Sequence, residues 1–406
     1  MVDSAGHGYR VRAKGFYPFI DGFLHPELLP PDAAYELTVA DRNYQTPYVG
    51  VTTDGTPRTG LYSLADTGAP PKKAVDAALE YLNTLDPSQR ACAVLPMDSP
   101  NWRRWTNAFP AWLPKGVQLG RMTEDARNAA LALIKASISD AGYTLVRSAM
   151  KLNGALGELV DDYRDTLQEF LYWMTIFGDP NGRDPWGWQL MGHHVDLNCV
   201  FVGNQLVFAP VFIGAEPSRA DFGTYAGVHA LDEETDHGLA VRRALTDEQV
   251  TRAVLSTSIF SADLPPELAG PFNGRHVGGA GADNKVVPYE GIAGGDLVTD
   301  QQELLLRLIE TYVQRMPDQH AEPKMAQVRD HLGETHFSWR GAHDDVGAFY
   351  YRVHSPVIWI EYDNHPGIFL DYDEPMRDHI HTIVREPNGN DYGKNLLTQH
   401  YARFHA

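Results

Sequence analysis

Cysteine is nearly missing from this chain: Cys92 and Cys199 are the only two in 406 residues, and they stand far apart in sequence. With no close pair of thiols, a disulfide framework, a Cys-rich zinc clip and a dithiol redox motif are excluded. Cys199 lies in an apolar run and reads as a small buried hydrophobe. Positive charge is also short, with 34 Lys and Arg against 53 Asp and Glu and a formal net charge of -19. Nucleic acid and anionic membranes reward clustered positive charge, so neither is an expected partner. No stretch approaches the roughly 18 uncharged apolar residues that span a bilayer, and the N-terminus shows no apolar core of signal-peptide length. The expected compartment is the cytoplasm. Also missing are a dinucleotide-binding glycine fingerprint, a phosphate-binding P-loop, a nucleophile elbow and a zinc-protease helix, which removes several large enzyme classes.

What the chain does have is 43% hydrophobic residues, enough for a sizeable core, and an unusual load of 17 His, 19 Tyr and 8 Trp. Residues 1–70 are rich in Pro, Gly, Tyr and Asp and read as an irregular N-terminal arm, with short strand-like pieces at Tyr35–Val39 and Tyr48–Thr52. Helical spacing of apolar residues predicts helices over Lys72–Leu85, Arg127–Ile138 (entered through Thr123), Leu156–Phe177, and about 232–246, 247–260, 300–316 and 323–332. Strands are expected at Trp188–Val202 and Gln205–Ile213, joined by the turn dipeptide Gly203-Asn204, and again at His336–Trp339, Ala348–Val353, Val357–Tyr362 and His379–Val384. A helix over Asn395–Tyr401 closes the chain. The Gly-rich stretch Gly274–Gly295 reads as a surface loop. No repeat appears at any period of about 20–50 residues. Helices and hairpins are segregated, so the predicted fold is α+β, with helices packed on a mainly antiparallel sheet built from hairpins. Residues 71–406 form one large domain on this reading.

The histidines concentrate where strands are expected. Alternate residues of a strand share a face, so His379 and His381 can hand two imidazoles to one ion. On Val357–His365 the same alternation puts Glu361, Asp363 and His365 together; acidic and imidazole groups ending an apolar strand are costly unless paired, solvated or bound to metal. In Gly192-His193-His194-Val195-Asp196 a regular strand would turn the two His to opposite faces, with Asp196 and Asn198 on the side of His194. Arg385, four residues beyond His381, offers a guanidinium fork for a carboxylate or a polarised oxygen.

Taken in order, Trp186–Asn198, Ala209–Pro217, Tyr350–Asp363 and His379–Gly393 resemble the domain-of-unknown-function family numbered 3500, from about residue 75 to the C-terminus. The resemblance places the GHH, EYDNH and HIHT segments in that family's characteristic stretches and implies no substrate. The residues themselves point to a metal-dependent enzyme acting on a small molecule. His379 and His381 are the first ligands, joined by His194, His193 or His365 or by a carboxylate. The ion is divalent, zinc favoured. Zinc with an open position ionises its bound water near neutral pH, and Glu361 or Asp363 would then serve as general base, with Arg385 holding substrate, which gives hydrolysis. An iron or copper oxidoreductase is the alternative, since imidazole and carboxylate ligands also suit those metals. A non-catalytic ligand-binding protein with structural histidines is the reading from a different class.

Overall fold

The computed structural model describes residues 8–12, 43–69, 71–108, 114–269 and 275–405. One mixed sheet runs through the molecule. Its edges are short: β1 (Val94–Leu95), β2 (Val117–Gln118), β7 (Val254–Ser256) and β8 (Ile292–Ala293). Its body is β3 (Tyr172–Gly178), β4 (Trp186–Gly192), β5 (Val195–Val202), β6 (Gln205–Ala215), β9 (His336–Gly341), β10 (Phe349–His354), β11 (Trp359–His365) and β12 (Met376–Arg385). The order is β1-β3-β4-β5-β6-β12-β11-β10-β9-β7, with β2 on β3 and β8 on β9. All body pairings are antiparallel, and among the strands of the described residues only the edge pairs β1/β3 and β7/β9 are parallel. The architecture is α+β.

The sheet is made of two copies of one unit. Before β3 come α1 (Lys72–Thr84), α2 (Pro87–Ala93), β1, β2, α3 (Glu124–Ser137) and α4 (Asp140–Leu159). Before β9 come α5 (Asp232–Arg243), α6 (Asp247–Ala253), β7, β8, α7 (Thr299–Val313) and α8 (Asp318–Asp330), in the same order. The registers agree too. Val117 faces Met174 in the first half as Ile292 faces Phe337 in the second. Asp86 and Thr246 each open their helix with a capping box closed by Gln89 and Gln249. Gly116 and Gly291 both have positive φ, and a Cβ on either would lie 2.1 Å from a carbonyl of the neighbouring strand. Four-strand meanders from the two halves meet where β6 pairs with β12, and α9 (Lys394–Phe404) follows the second. A repeat of this length lies far beyond the short periods that solenoids show in sequence.

The two faces of the sheet differ in kind. One packs under the helices, where Ile134, Met150, Leu305, Leu308 and Ile309 meet Trp188, Leu197, Ile213, Ile360 and Tyr362. The other is covered by irregular segments: Trp102, Trp105 and Tyr392 pack on Phe177, Met191, Phe212 and Ile383. Alternation assigns Arg352, Glu361, Asp363, His379, His381 and Arg385 to this second face.

Several expectations need correction. The helix predicted over Leu156–Phe177 ends at Leu159, and Tyr172–Gly178 is strand β3. Its aromatic and β-branched residues pair along β4, and tertiary pairing overrides the apolar period. The helix lies earlier, over Asp140–Leu159, started by the Ser139 hydroxyl. The single strand expected over Trp188–Val202 is broken by a tight turn at His193-His194. Of the Gly-rich stretch, residues 275–283 pack inward, with Arg275, His276 and Asp283 buried, whereas a surface loop was expected. Tyr35–Val39 lies outside the described residues, and of Tyr48–Thr52 only Thr52 bridges, to Val286. No helix among the described residues is long and apolar enough to cross a membrane.

Candidate metal centre

Strand β12 places His379 and His381 two residues apart on the loop-covered face, at the centre of the sheet. In register, His381 stands between Gly214 of β6 and Asp363 of β11. Glycine at 214 leaves the room the rings occupy: a Cβ there would lie 3.0 Å from Cδ2 of His381 and 3.2 Å from Cδ2 of His194. The third imidazole arrives from the other half of the molecule. His193 and His194 are the two residues of the β4–β5 turn, and His194 is held at φ 64°. A left-handed conformation costs a non-glycine residue about 1 kcal/mol or more, so the turn is strained where it delivers this ring.

The ring nitrogens converge. Nε2 of His379 lies 3.2 Å from Nε2 of His194 and 3.0 Å from Nε2 of His381. Nδ1 of His379 donates to the Pro366 carbonyl at 2.7 Å, which fixes the tautomer and leaves Nε2 with a single lone pair. One lone pair cannot accept from two neighbouring rings at once. The spacing matches the edge of a tetrahedron, about 3.3–3.4 Å, for nitrogen ligands at about 2.0–2.1 Å from zinc. The orienting carbonyl is the outer-shell partner that metal-bound imidazoles use. His194, His379 and His381 thus form a group of buried ligands that could hold a metal ion.

Two further histidines flank this group. The ring of His365 lies 4.7 and 4.9 Å from those of His379 and His381, and its Nδ1 donates to the same Pro366 carbonyl at 2.8 Å. The ring of His193 stacks on that of His194 at 3.9 Å, and its Nδ1 lies 2.7 Å from Oδ1 of Asn153 on α4. His193 therefore ties the turn to the helical layer, while His194 enters the cluster.

The inward-folded segment 275–283 supplies a second set. His276 Nδ1 lies 3.0 Å from Asp363 Oδ1, and Asp363 Oδ2 accepts from the Arg275 amide at 2.9 Å. His276, Asp363 and His381 form another buried group with ligand atoms close enough to hold an ion. Glu361 shapes this segment. Its carboxylate accepts from the amides of Val277 and Gly278, the Tyr350 hydroxyl and the Trp359 indole at 2.7–3.0 Å. Arg385 completes the clamp: its guanidinium donates to the carbonyls of Gly278 and Gly279 and to Asp283 and Asp391. Both side chains are wholly buried and fully engaged in holding the segment.

Burial dominates the electrostatics. It lowers the pKa of His193 and His365 to about 3 and of His379 to about 4, and drives His194 and His381 well below the usual histidine range, with neighbouring imidazoles adding to the effect for all but His379. Such rings are neutral at physiological pH, the form that binds metal. Burial acts against charge at His276 and Asp363 as well, but their mutual attraction wins: His276 is raised and Asp363 lowered, a buried ion pair. Glu216, at the end of β6, accepts from the amides of Ile368, Phe369 and Leu370 through Oε1, and its Oε2 lies 3.8 Å from Nδ1 of His379. Burial raises its pKa to about 7 against those three donors. Clefts lined by Tyr312 and Ile358, and by Tyr62, Gln205 and Asn390, contain none of the cluster imidazoles.

His276 and Glu216 escape a sequence reading for different reasons. The signal for His276 was a lone imidazole in a glycine-rich segment, which is too weak to separate it from a loop residue. Glu216 announces itself only as an acid closing an apolar strand. A family model described as "Protein of unknown function (DUF3500)" matches residues 67–394. No curated protein and no solved structure matches the chain.

Proposed function

We propose that this chain, which belongs to the DUF3500 family, is a metal-dependent hydrolase of a small molecule, its divalent ion held by His194, His379 and His381. One observation carries the reading: the bare Nε2 of His379 faces two other ring nitrogens at 3.0 and 3.2 Å, an arrangement that a cation resolves and hydrogen bonding does not. His365 stands beside the trio as a fourth nitrogen donor or as the wall of an open position. An ion with three imidazole ligands and one open position lowers the pKa of bound water toward neutrality, which supplies a nucleophile for hydrolysis. Asp363 is the carboxylate nearest His381, at 3.8 Å from its Nδ1, and is assigned to take the proton released there. Glu361, with four donors on its carboxylate, positions the segment that carries His276. An all-imidazole set also suits copper, so a copper oxidoreductase is the second reading.

The test is metal analysis of protein purified without a histidine tag, together with its melting temperature before and after chelation. Bound zinc near stoichiometry and a lower melting temperature on chelation support the reading, and a coloured copper-loaded protein favours the second one. Absence of any bound metal, with no effect of added metal on melting, overturns both. Replacing His379 and His381 together by Ala removes metal uptake if these are the ligands.

A further inference from the structure

We infer that the centre takes two metal ions, with His381 bridging them through its two ring nitrogens. This rests on the metal reading above and turns Asp363 from a proton acceptor into a ligand. Nε2 of His381 belongs to the trio with His194 and His379. Its other nitrogen, Nδ1, is fully buried and makes no hydrogen bond. A buried ring N–H or lone pair without a partner costs about 1–3 kcal/mol, so this atom needs an explanation.

What Nδ1 faces is a second ligand set. Asp363 Oδ1 lies 3.8 Å from it, and the same oxygen lies 3.0 Å from His276 Nδ1. These separations straddle the tetrahedral edge of about 3.3–3.4 Å expected for nitrogen and oxygen ligands at about 2.0–2.1 Å. The set is held from outside. The Arg275 amide occupies Asp363 Oδ2 and so points Oδ1 inward, Glu361 binds the amides of Val277 and Gly278, and Arg385 binds the carbonyls of Gly278 and Gly279. Glycine at 279 keeps the back of the ring clear, since a Cβ there would lie 2.6 Å from Nε2 of His276. His276 can therefore offer only Nδ1 to an ion beside Asp363.

On binding the second ion, His276 gives up its Nδ1 proton and His381 its remaining ring proton, both to the buffer, and His381 becomes an imidazolate. The carboxylate of Asp363 balances part of the added charge. No oxidant or reductant is involved.

The experiment measures metal content by mass spectrometry on the full chain, stripped by chelator and reloaded with Zn(II), and titrates the stripped protein with Co(II) while following visible absorption. The expected result is two equivalents in the native protein, one in His276→Ala and in His276→Gln, and a Co(II) spectrum that changes up to two equivalents in the native chain only. One equivalent in the native protein, unchanged in both His276 variants, overturns the second ion and leaves His276–Asp363 as a structural ion pair. Two equivalents retained in the variants overturn the ligand assignment. No metal in the native chain overturns the metal reading itself, so the two failures are distinguishable. Circular dichroism of each variant excludes loss of fold as the cause of lost metal.

Discussion

His194 and His379 bring their Nε2 atoms to 3.2 Å although they belong to different halves of a duplicated sheet. The first sits in the β4–β5 turn of the N-terminal unit, the second on the last strand of the C-terminal unit. The equivalent turn of the C-terminal unit, closed by the Ser355–Ile358 hydrogen bond, carries Pro356 and Val357 instead. The trio therefore breaks the symmetry of the fold that holds it: neither half alone owns His194, His379 and His381 together.

That division separates two adjacent histidines. His194→Gly relieves the positive φ and should leave stability unchanged or raise it by about 1 kcal/mol, while metal affinity falls. His193→Ala strands Asn153 Oδ1 and should cost about 1–3 kcal/mol with metal stoichiometry preserved. Urea unfolding and metal content, measured together, check both. Equal metal loss in the two variants would contradict the assignment.

Gly214→Ala drives a methyl to 2.6 Å from the Ile380 carbonyl and against the His381 and His194 rings. Overpacking of this kind costs about 1–3 kcal/mol. The rings must also shift, so metal binding should weaken in the same variant. Calorimetric melting of the chelated protein and a Zn(II) titration read the two effects separately.

Glu361→Ala leaves two amides, a hydroxyl and an indole N–H without their acceptor in a buried place. At about 1–3 kcal/mol for each stranded group, the loss should approach the stability of a marginal domain. Glu361→Gln, which keeps one acceptor oxygen, should fold and show faster amide hydrogen exchange confined to residues 275–283. Unchanged exchange there would show that other contacts hold the segment.

A pH effect is expected away from the metal ligands, at His354. Burial, with help from Arg352 and His336, lowers its pKa to about 2. A group whose folded pKa is depressed stabilises the fold above its unfolded pKa, near 6.5, and loses that contribution as pH falls toward the folded value. Each unit of acid below about 6.5 should cost up to about 1.4 kcal/mol from this residue. His354→Phe removes the linkage, so the variant should gain on the native protein between pH 6.5 and 4. Urea midpoints of the chelated proteins at pH 7, 5.5 and 4.5 check this, and a constant difference across the series would refute it.

Much of the architecture was legible along the chain. The strand periods at β9–β12, the hairpin at Gly203-Asn204 and most helices follow from local alternation and spacing. The same alternation put His379 with His381, and Glu361 with Asp363 and His365, on common faces. Local pattern misled at Leu156–Phe177, where an apolar period compatible with helix was settled by pairing with β4.

Sequence alone determined which side chains a strand presents together, because that depends on a two-residue period carried by neighbours in the chain. Only the tertiary structure decided which of those faces meet. The turn at His193-His194, the inward fold of residues 275–283 and the junction of β6 with β12 join residues 87 to 185 positions apart, and the interactions that stabilise them are long-range pairing and burial. His276 became a candidate ligand for that reason. So did the different fates of Glu361 and Arg385, whose charges are satisfied by backbone that folds over them from far along the chain.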